Sequence, residues 1–576
     1  MFIPNDSLKK ILLKAGVIDE ATWNDVVTNA QRLGVPVEDI LKERDIIAGH
    51  VFYEIVSRAL NFSYINLKAI DIDERVLNLF DDTVVGKYKA IPFAYDPKTR
   101  HVKVAFLDPS NKKNIAALQR KCRAKIDVYF TGTSSFKFAS KYYQHSVSEA
   151  IKKMIEKSAR HITNRHEKKR KTSWEKDVQK LFHSLIEFVY YTQPSDIHIE
   201  AQKDGGVIKM RIDGFLKDEF FLPEPIHKEI VSIIKHESGI HTDVHHQTKD
   251  SRFSRTIFSE TISFRVSIIP TYYGEKLCLR VLDESRQKTS LRDLGFSDEY
   301  VEMIKQEMKK PYGLILVTGP TGSGKSSTLY SLLKFLNIEG VSIATIEDPV
   351  EYAVPHVNQT QVDVDNGFTF AAGLRTILRQ DPNIVMVGEI RDSETAAITI
   401  QSALTGHIVI STLHSNTAVG AITRLKNMDM KPYLLAPTLN LIVSQRLVKM
   451  ICPYCPEKYS ASKELLDRID KDAKLYQSLE KLQKRGVLAT TKPEELSFYR
   501  SKGCVKCKGR GTAGRIGVFE ILNIDSEMSH LIASDKNEHI IQAKAESNGM
   551  LTLFEDGLLK ALNGYITLEE LMRIIE

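Results

Sequence analysis

Residues Gly319 to Ser326 spell G-P-T-G-S-G-K-S, with two glycines five positions apart and a lysine and a hydroxyl directly after the second. Glycines at that spacing let successive backbone N–H groups turn inward around an anion, and a helix starting at the lysine adds its positive N-terminal end. In such a loop Lys325 neutralises β/γ-phosphate charge and the Ser326 hydroxyl ligates Mg²⁺. The apolar run "GLILV" before the loop and the helix-forming "STLYSLLKFL" after it supply the strand and helix that a phosphate loop needs. Gly319, Pro320, Thr321, Gly322, Ser323, Gly324, Lys325, Ser326 and Ser327 are therefore the candidate nucleotide-binding residues.

Three further apolar runs each end on chemistry. "SIATIED" ends on Glu347 and Asp348, "NIVMV" leads into Gly388-Glu389 with Arg391 and Asp392 beyond, and "HIVISTLH" runs from His407 to His414. Ligands of open α/β sheets sit beyond the carboxyl ends of the strands, so these groups are expected to converge on the phosphates. Hydrolysis needs one carboxylate to orient the attacking water, and the metal needs outer-shell support of its own. Glu347 is assigned to the water and Glu389 to the magnesium shell, with the reverse assignment left open. His407 and His414 bracket one strand and cannot both reach one phosphate, and the loop position of His414 favours it as the γ-phosphate sensor.

Cys452 and Cys455 ("CPYC") and Cys504 and Cys507 ("CVKC") form two C-x-x-C pairs 48 residues apart. Two such knuckles can close a tetrahedral Cys₄ site around Zn²⁺, a coordination that leaves no open position and so is structural. Cys122 and Cys278 are expected as buried thiols.

Elements must hold these groups in place. At 576 residues the chain is several domains long. Residues 1–62 carry helical spacing, and 63–145 mix strands with one amphipathic helix. Residues 151–180 hold 11 Lys/Arg against 4 Asp/Glu, which equals the +7 of the whole chain, so 146–178 is expected to be a basic flexible linker. Hairpin-like alternation in "DIHIE", "VIKMRIDGF" and "ISFRVSIIP" makes 179–284 a second α/β module. After a short linker at 285–295, strands and helices alternate from 296 to 576, with the cysteine subdomain at 450–515. The N-terminus lacks a signal-peptide core and no apolar run reaches ~18 residues, so a cytoplasmic chain is expected.

Taken together, "GPTGSGKSSTLY", "TIEDPVEY", "LRTILRQDPNIVMVGEIRD", "TGHIVISTLHSNTA" and the paired C-x-x-C resemble the secretion ATPase superfamily, and within it the type IV pilus extension and type II secretion motors. These segments correspond to the family's Walker A, Asp box, Walker B and His box, and the Gly-Glu ending is the family's usual Walker B form. The resemblance implies an α/β fold with a RecA-like P-loop ATPase domain, a smaller α/β domain before it, an N-terminal helical plus α/β domain and a zinc-knuckle insertion. It further implies ATP hydrolysis in a homo-hexamer at the cytoplasmic face of the inner membrane. The partners would be an inner-membrane platform protein and an actin-like or cytoplasmic assembly protein, with membrane contact made through partners and no nucleic acid. Family positions place Arg265, Arg280, Arg375 and Arg379 at nucleotide phosphates.

Some family members bind a cyclic dinucleotide through paired R-L-G-x-x-L-L-x-x-G motifs at the N-terminus. The counterparts here, "SLKKILLKAG" and "VPVEDILKER", lack the R-L-G triplets, so that ligand is not expected, and docking to an inner-membrane assembly protein is. Pilus extension is preferred over secretion. A nucleic-acid translocase is the alternative from another class, and it would call for an interleaved basic and aromatic stripe that the sequence does not contain.

Overall fold

The structure, a computed structural model, describes residues 5–575 except 71, 123, 141–143, 164–170, 213–214, 242–248, 258–259, 284–289, 461–465, 468, 470–474, 493–494, 505–506 and 508–509. The chain divides into two compact units, one made of Met1–Glu20 and Ile47–Lys288 and the other of Ala21–Ile46 and Thr289–Glu576. The expected leading domain at 1–145 is thus shared between them, because Ala21–Ile46 packs with the later residues.

The first unit holds two sheets. Ser63–Tyr64, Lys125–Phe130, His101–Phe106 and Ala90–Asp96 lie side by side in that order, the first three parallel and the last antiparallel. The second sheet, in the order Phe215–Pro223, Gly205–Ile212, Asp196–Gln202, Gly274–Asp283, Glu260–Thr271 and Lys249–Ile257, is antiparallel throughout. One of its faces buries Ile197, Ile199, Phe264, Val266, Leu277 and Leu279. The period-two alternation then turns Asp196, His198, Arg265, Cys278 and Arg280 to the other face.

The flexible linker expected at 146–178 is corrected on both flanks. Gln144–Thr163 and Lys171–Thr192 are helices, and Ile151, Ile155, Val178 and Leu181 enter the same core as the six-stranded sheet. The basic residues sit on the other positions of these helices, so a window of net charge hides an apolar stripe of helical period. Residues 164–170 of that expectation lie outside the described residues. So do 285–289 of the short linker at 285–295, whose later part, Leu291–Leu294, is a helical turn with a Ser290/Asp293 capping box.

The second unit is built on a seven-stranded sheet in the order Asn358–Gln361, Ile343–Glu347, Ile384–Val387, Ile408–Leu413, Gly313–Thr318, Leu439–Ile451 and Thr512–Asn523. The first six run parallel, and Thr512–Asn523 closes the edge as an antiparallel hairpin partner. Helices cover both faces. Leu314 and Leu316 point into one core cluster and Ile315 and Val317 into the other, which is why the strands read as unbroken apolar runs. Ala21–Ile46 contributes polar anchors to this unit. Arg32 donates to the backbone O and Oδ1 of Asn337 at 2.6 and 2.9 Å, the buried Arg44 donates to the same carbonyl at 3.2 Å, and Asp45 Oδ2 accepts the Leu291 N–H at 3.0 Å.

Candidate functional site

The loop after Gly313–Thr318 has no room for side chains where it needs glycine. A Cβ on Gly319, whose φ is +150°, would lie 2.5 Å from the Gln445 carbonyl oxygen and 2.6 Å from Ser323 Oγ. Gly324, at φ +90°, begins the helix Lys325–Leu336 with no side-chain cap, leaving its first N–H groups for an incoming anion. Ser323 Oγ is buried with no hydrogen-bond partner. Lys325 folds back onto the loop, Nζ donating to the carbonyls of Gly319 and Pro320 at 3.0 and 3.1 Å. Burial pushes its pKa down, a cost that a phosphate would relieve. Pro320, Thr321, Gly322, Ser326 and Ser327 are exposed around this cradle. A hydroxyl without a hydrogen-bond partner, uncapped N–H groups and a lysine without a carboxylate partner among the described residues fit a polyphosphate.

The acidic strand ends adjoin. Ile346 pairs with Val387, so Glu347 sits beside Gly388, where a Cβ would come within 3.3 Å of the Glu347 Cα. This contact explains the glycine before Glu389. Glu389 Oε2 lies 3.5 Å from His414 Nε2, and Oε1 faces the Arg391 guanidinium as an ion pair without a well-aligned hydrogen bond. Arg391 also reaches Asp348 at 3.2 Å. Burial holds His414 below the usual imidazole range, helped by the charges of Lys325 and Arg391 and opposed by its hydrogen bond to the Gly319 backbone. The loop glycine, lysine, Glu389 and His414 therefore share one corner. His407, at the far end of its strand, is bonded to the Ser402 carbonyl at 3.0 Å.

Glu347 is buried and differently engaged. Its Oε1 accepts from Thr345 Oγ1 at 2.6 Å and Gln359 Nε2 at 3.1 Å, and its Oε2 accepts from the Tyr330 hydroxyl.

Of the four arginines, two belong to each unit. Arg375 pairs with Glu394 at 2.6 Å on an exposed helix surface, and Arg379 bonds back to the Arg375 carbonyl at 3.2 Å. Arg265 and Arg280 belong to the first unit, directly opposite one another on neighbouring strands, with Arg280 Nε 3.4 Å from Asp196 Oδ1.

At the far end of the strand Leu439–Ile451 the four cysteines meet. Their sulfurs all lie within 4.8 Å of one another, with Cys452 to Cys504 at 3.9 Å and Cys455 to Cys507 at 3.8 Å. A tetrahedral site with Zn–S near 2.3 Å needs sulfurs about 3.8 Å apart, so the donor set fits zinc. Burial raises the Cys507 thiol, but N–H donors from Cys504 and Gly511 at 3.0 and 3.2 Å, with the neighbouring thiols, outweigh it and bring the group down to about 6, whereas burial pushes Cys452 up to about 12 and Cys455 up as well.

The family model described as "Type II/IV secretion system protein" matches residues 171–573. The chain belongs to that family. A type IV pilus assembly ATPase PilB of Myxococcus xanthus is 31% identical over 98% of each chain. A PilB of Thermus thermophilus is 40% identical over 70% of this chain and 43% of its own length, so this chain spans less than half of that relative. A type II secretion system ATPase E of Vibrio cholerae is 39% identical over 69% of this chain and 75% of its own. This member of the type II/IV secretion family is accordingly an ATPase of the pilus or secretion kind. Among its described residues no helix is long and apolar enough to cross a membrane.

Three polar residues of this secretion-family ATPase escaped the sequence reading. Gln445 is buried, accepts from Thr328 Oγ1 at 2.7 Å and lends its carbonyl to the wall against Gly319. Its signal was a polar run, Ser444-Gln445-Arg446, interrupting the apolar "LNLIV…LVKMI". Tyr330 and Gln359 gave no comparable signal, since their partners are set by the fold.

Proposed function

We propose that this chain is the hexameric motor of type IV pilus extension, hydrolysing ATP at the corner formed by Lys325, Glu389 and His414. The observation that carries it is that corner itself, where the phosphate-loop lysine and the Gly388-Glu389 strand end meet beside Glu347. Lys325 and the N–H groups after Gly324 hold the β- and γ-phosphates. Ser326 and Glu389 are the residues that would hold Mg²⁺, which when bound neutralises charge across the β- and γ-oxygens. Glu347 orients the water. As the water oxygen bonds to the γ-phosphorus, the bond from that phosphorus to the β,γ-bridging oxygen breaks, ADP leaves with that electron pair, and the water's proton passes through the carboxylate to solvent. His414, neutral near pH 7, contacts the γ-phosphate side. Arg265, Arg280, Arg375 and Arg379 complete the site from a neighbouring subunit, and Cys452, Cys455, Cys504 and Cys507 bind Zn²⁺.

The pilus role is preferred because the Myxococcus pilus ATPase aligns over 98% of both chains. Type II secretion is the second reading, favoured by the 39% identity to the Vibrio cholerae secretion ATPase. In either, the motor works beneath the inner membrane through a platform protein. Deleting the gene in its host separates the two: loss of surface pili with unchanged secreted protein is the expected result, and intact pili refute it.

The acid roles are tested by two variants. Glu347→Gln should keep nucleotide affinity and lose turnover by about 10² to 10⁴, whereas Glu389→Gln should raise the Mg²⁺ needed for half-maximal rate. Normal hydrolysis by Glu347→Gln would refute the water-orienting role.

A further inference from the structure

Glu347 has about four lone-pair positions on its two oxygens, and three are taken. Thr345 and Gln359 occupy Oε1, and Tyr330 occupies one side of Oε2. The direction of the tyrosine bond is forced. Tyr330 Oη receives the Glu351 backbone N–H at 3.2 Å and stands 3.5 Å from Gln359 Nε2, and both of those nitrogens can only donate. The phenol proton must therefore go to Glu347. Burial, the Glu347 charge and that hydrogen bond push the phenol well above the usual tyrosine range, so the donor is present at any working pH.

The bond is braced on every side. The Tyr330 ring stacks on Tyr352 with centroids 4.3 Å apart. Gln359 Oε1 accepts the Val354 N–H at 2.6 Å, and its Nε2 donates to the Tyr352 carbonyl at 3.0 Å. Tyr330 stands on the helix Lys325–Leu336, five residues after the phosphate-binding lysine, or about 7.5 Å along the axis. The helix that receives the nucleotide thus also grips the acid three strands away in the sheet.

We propose that Tyr330 is a positioning residue for hydrolysis: its hydroxyl, oriented by the Glu351 amide, holds Glu347 so that the last lone pair of Oε2 meets the attacking water. Any shift of the phosphate-loop helix on nucleotide binding is then passed directly to the acid. This proposal rests on Glu347 orienting the water.

Tyr330→Phe removes only the hydroxyl and keeps the stacked ring. Expected is a fall in kcat of about 10-fold to 100-fold, the size of a misplaced reacting group, with KM, affinity for a fluorescent ATP analogue and melting temperature close to wild type. Adding Tyr330→Phe to Glu347→Ala should cost no further rate, because the group it positions is gone. Wild-type kcat in Tyr330→Phe overturns the proposal. So does an equal loss in the Glu347→Ala background, or a joint fall in affinity and melting temperature, each of which marks a packing role. Wild-type turnover by Glu347→Gln would instead overturn the assignment of the water to Glu347, so the two failures are told apart.

Discussion

A buried carboxylate is informative when nothing in the sequence sets it apart. Glu520 lies in the strand Thr512–Asn523 and accepts the Ala418 N–H at 2.7 Å, the first amide of the helix that follows the His414 loop. Burial raises its pKa to about 7. A carboxyl with a raised folded pKa contributes stability that is full below about 4.5 and lost as pH rises through 7, here about 3 kcal/mol. Glu520→Gln keeps an oxygen for Ala418 and cannot ionise. Its melting temperature should therefore gain on wild type between pH 5 and pH 8, as scanning calorimetry would show, and parallel curves across that range would refute the burial argument. At this scale the sequence reveals the groups whose type and spacing are specific to one chemistry, such as Lys325 after its glycines or the cysteine pairs. It conceals those whose role depends on a neighbour brought in by folding, among them Tyr330, Gln359 and Glu520. A glutamate in an apolar strand looks the same whether it caps a helix or faces water.

Elements were legible where both faces of a strand are buried and illegible where charge masks period. Gly313–Thr318 and Ile384–Val387 could be placed because parallel strands covered by helices on both sides must be apolar throughout. The helix Gln144–Thr163 reads as a tether because its basic residues Lys152, Lys153, Lys157 and Arg160 mask the apolar period, although Ile151 and Ile155 stand four apart and are both buried. The hairpin of Leu439–Ile451 with Thr512–Asn523 shows what an element can transmit. Its middle presses Gln445 against the phosphate loop, and its end carries Cys452, with Cys507 just before the returning strand. Zinc would close the loop between these strands, while their pairing from Leu441 to Lys449 involves none of the four cysteines. Chelation of the purified chain should release zinc, measured by metal analysis, lower the melting temperature and open residues 452–511 to protease. ATP-analogue affinity should stay within about threefold, since no ligand of the metal touches phosphate. A collapse of nucleotide affinity on chelation would mean that the hairpin depends on the metal along its whole length.

Across the whole molecule, the arginines proposed to meet phosphate are drawn from two units: Arg375 is paired with Glu394 on an exposed helix face, and Arg265 and Arg280 lie opposite one another on a sheet of the first unit. Like charges directly opposite on adjacent strands are unfavourable, and an anion brought against them relieves that cost. In the proposed ring each interface is heterologous, so one subunit's arginines meet the next subunit's phosphate loop. Arg265→Ala and Lys325→Ala should each abolish turnover in pure rings, the first by losing the donated arginine and the second by losing its own lysine. Mixed in equal amounts and allowed to exchange, the two inactive proteins should regain rate. Where an Arg265→Ala subunit sits beside a Lys325→Ala subunit in the right order, its intact lysine meets an intact arginine, which random assembly provides at about a quarter of sites. If Arg265 served the nucleotide of its own chain, no arrangement in the mixture would unite the two groups, and the rate would stay at the level of the pure variants.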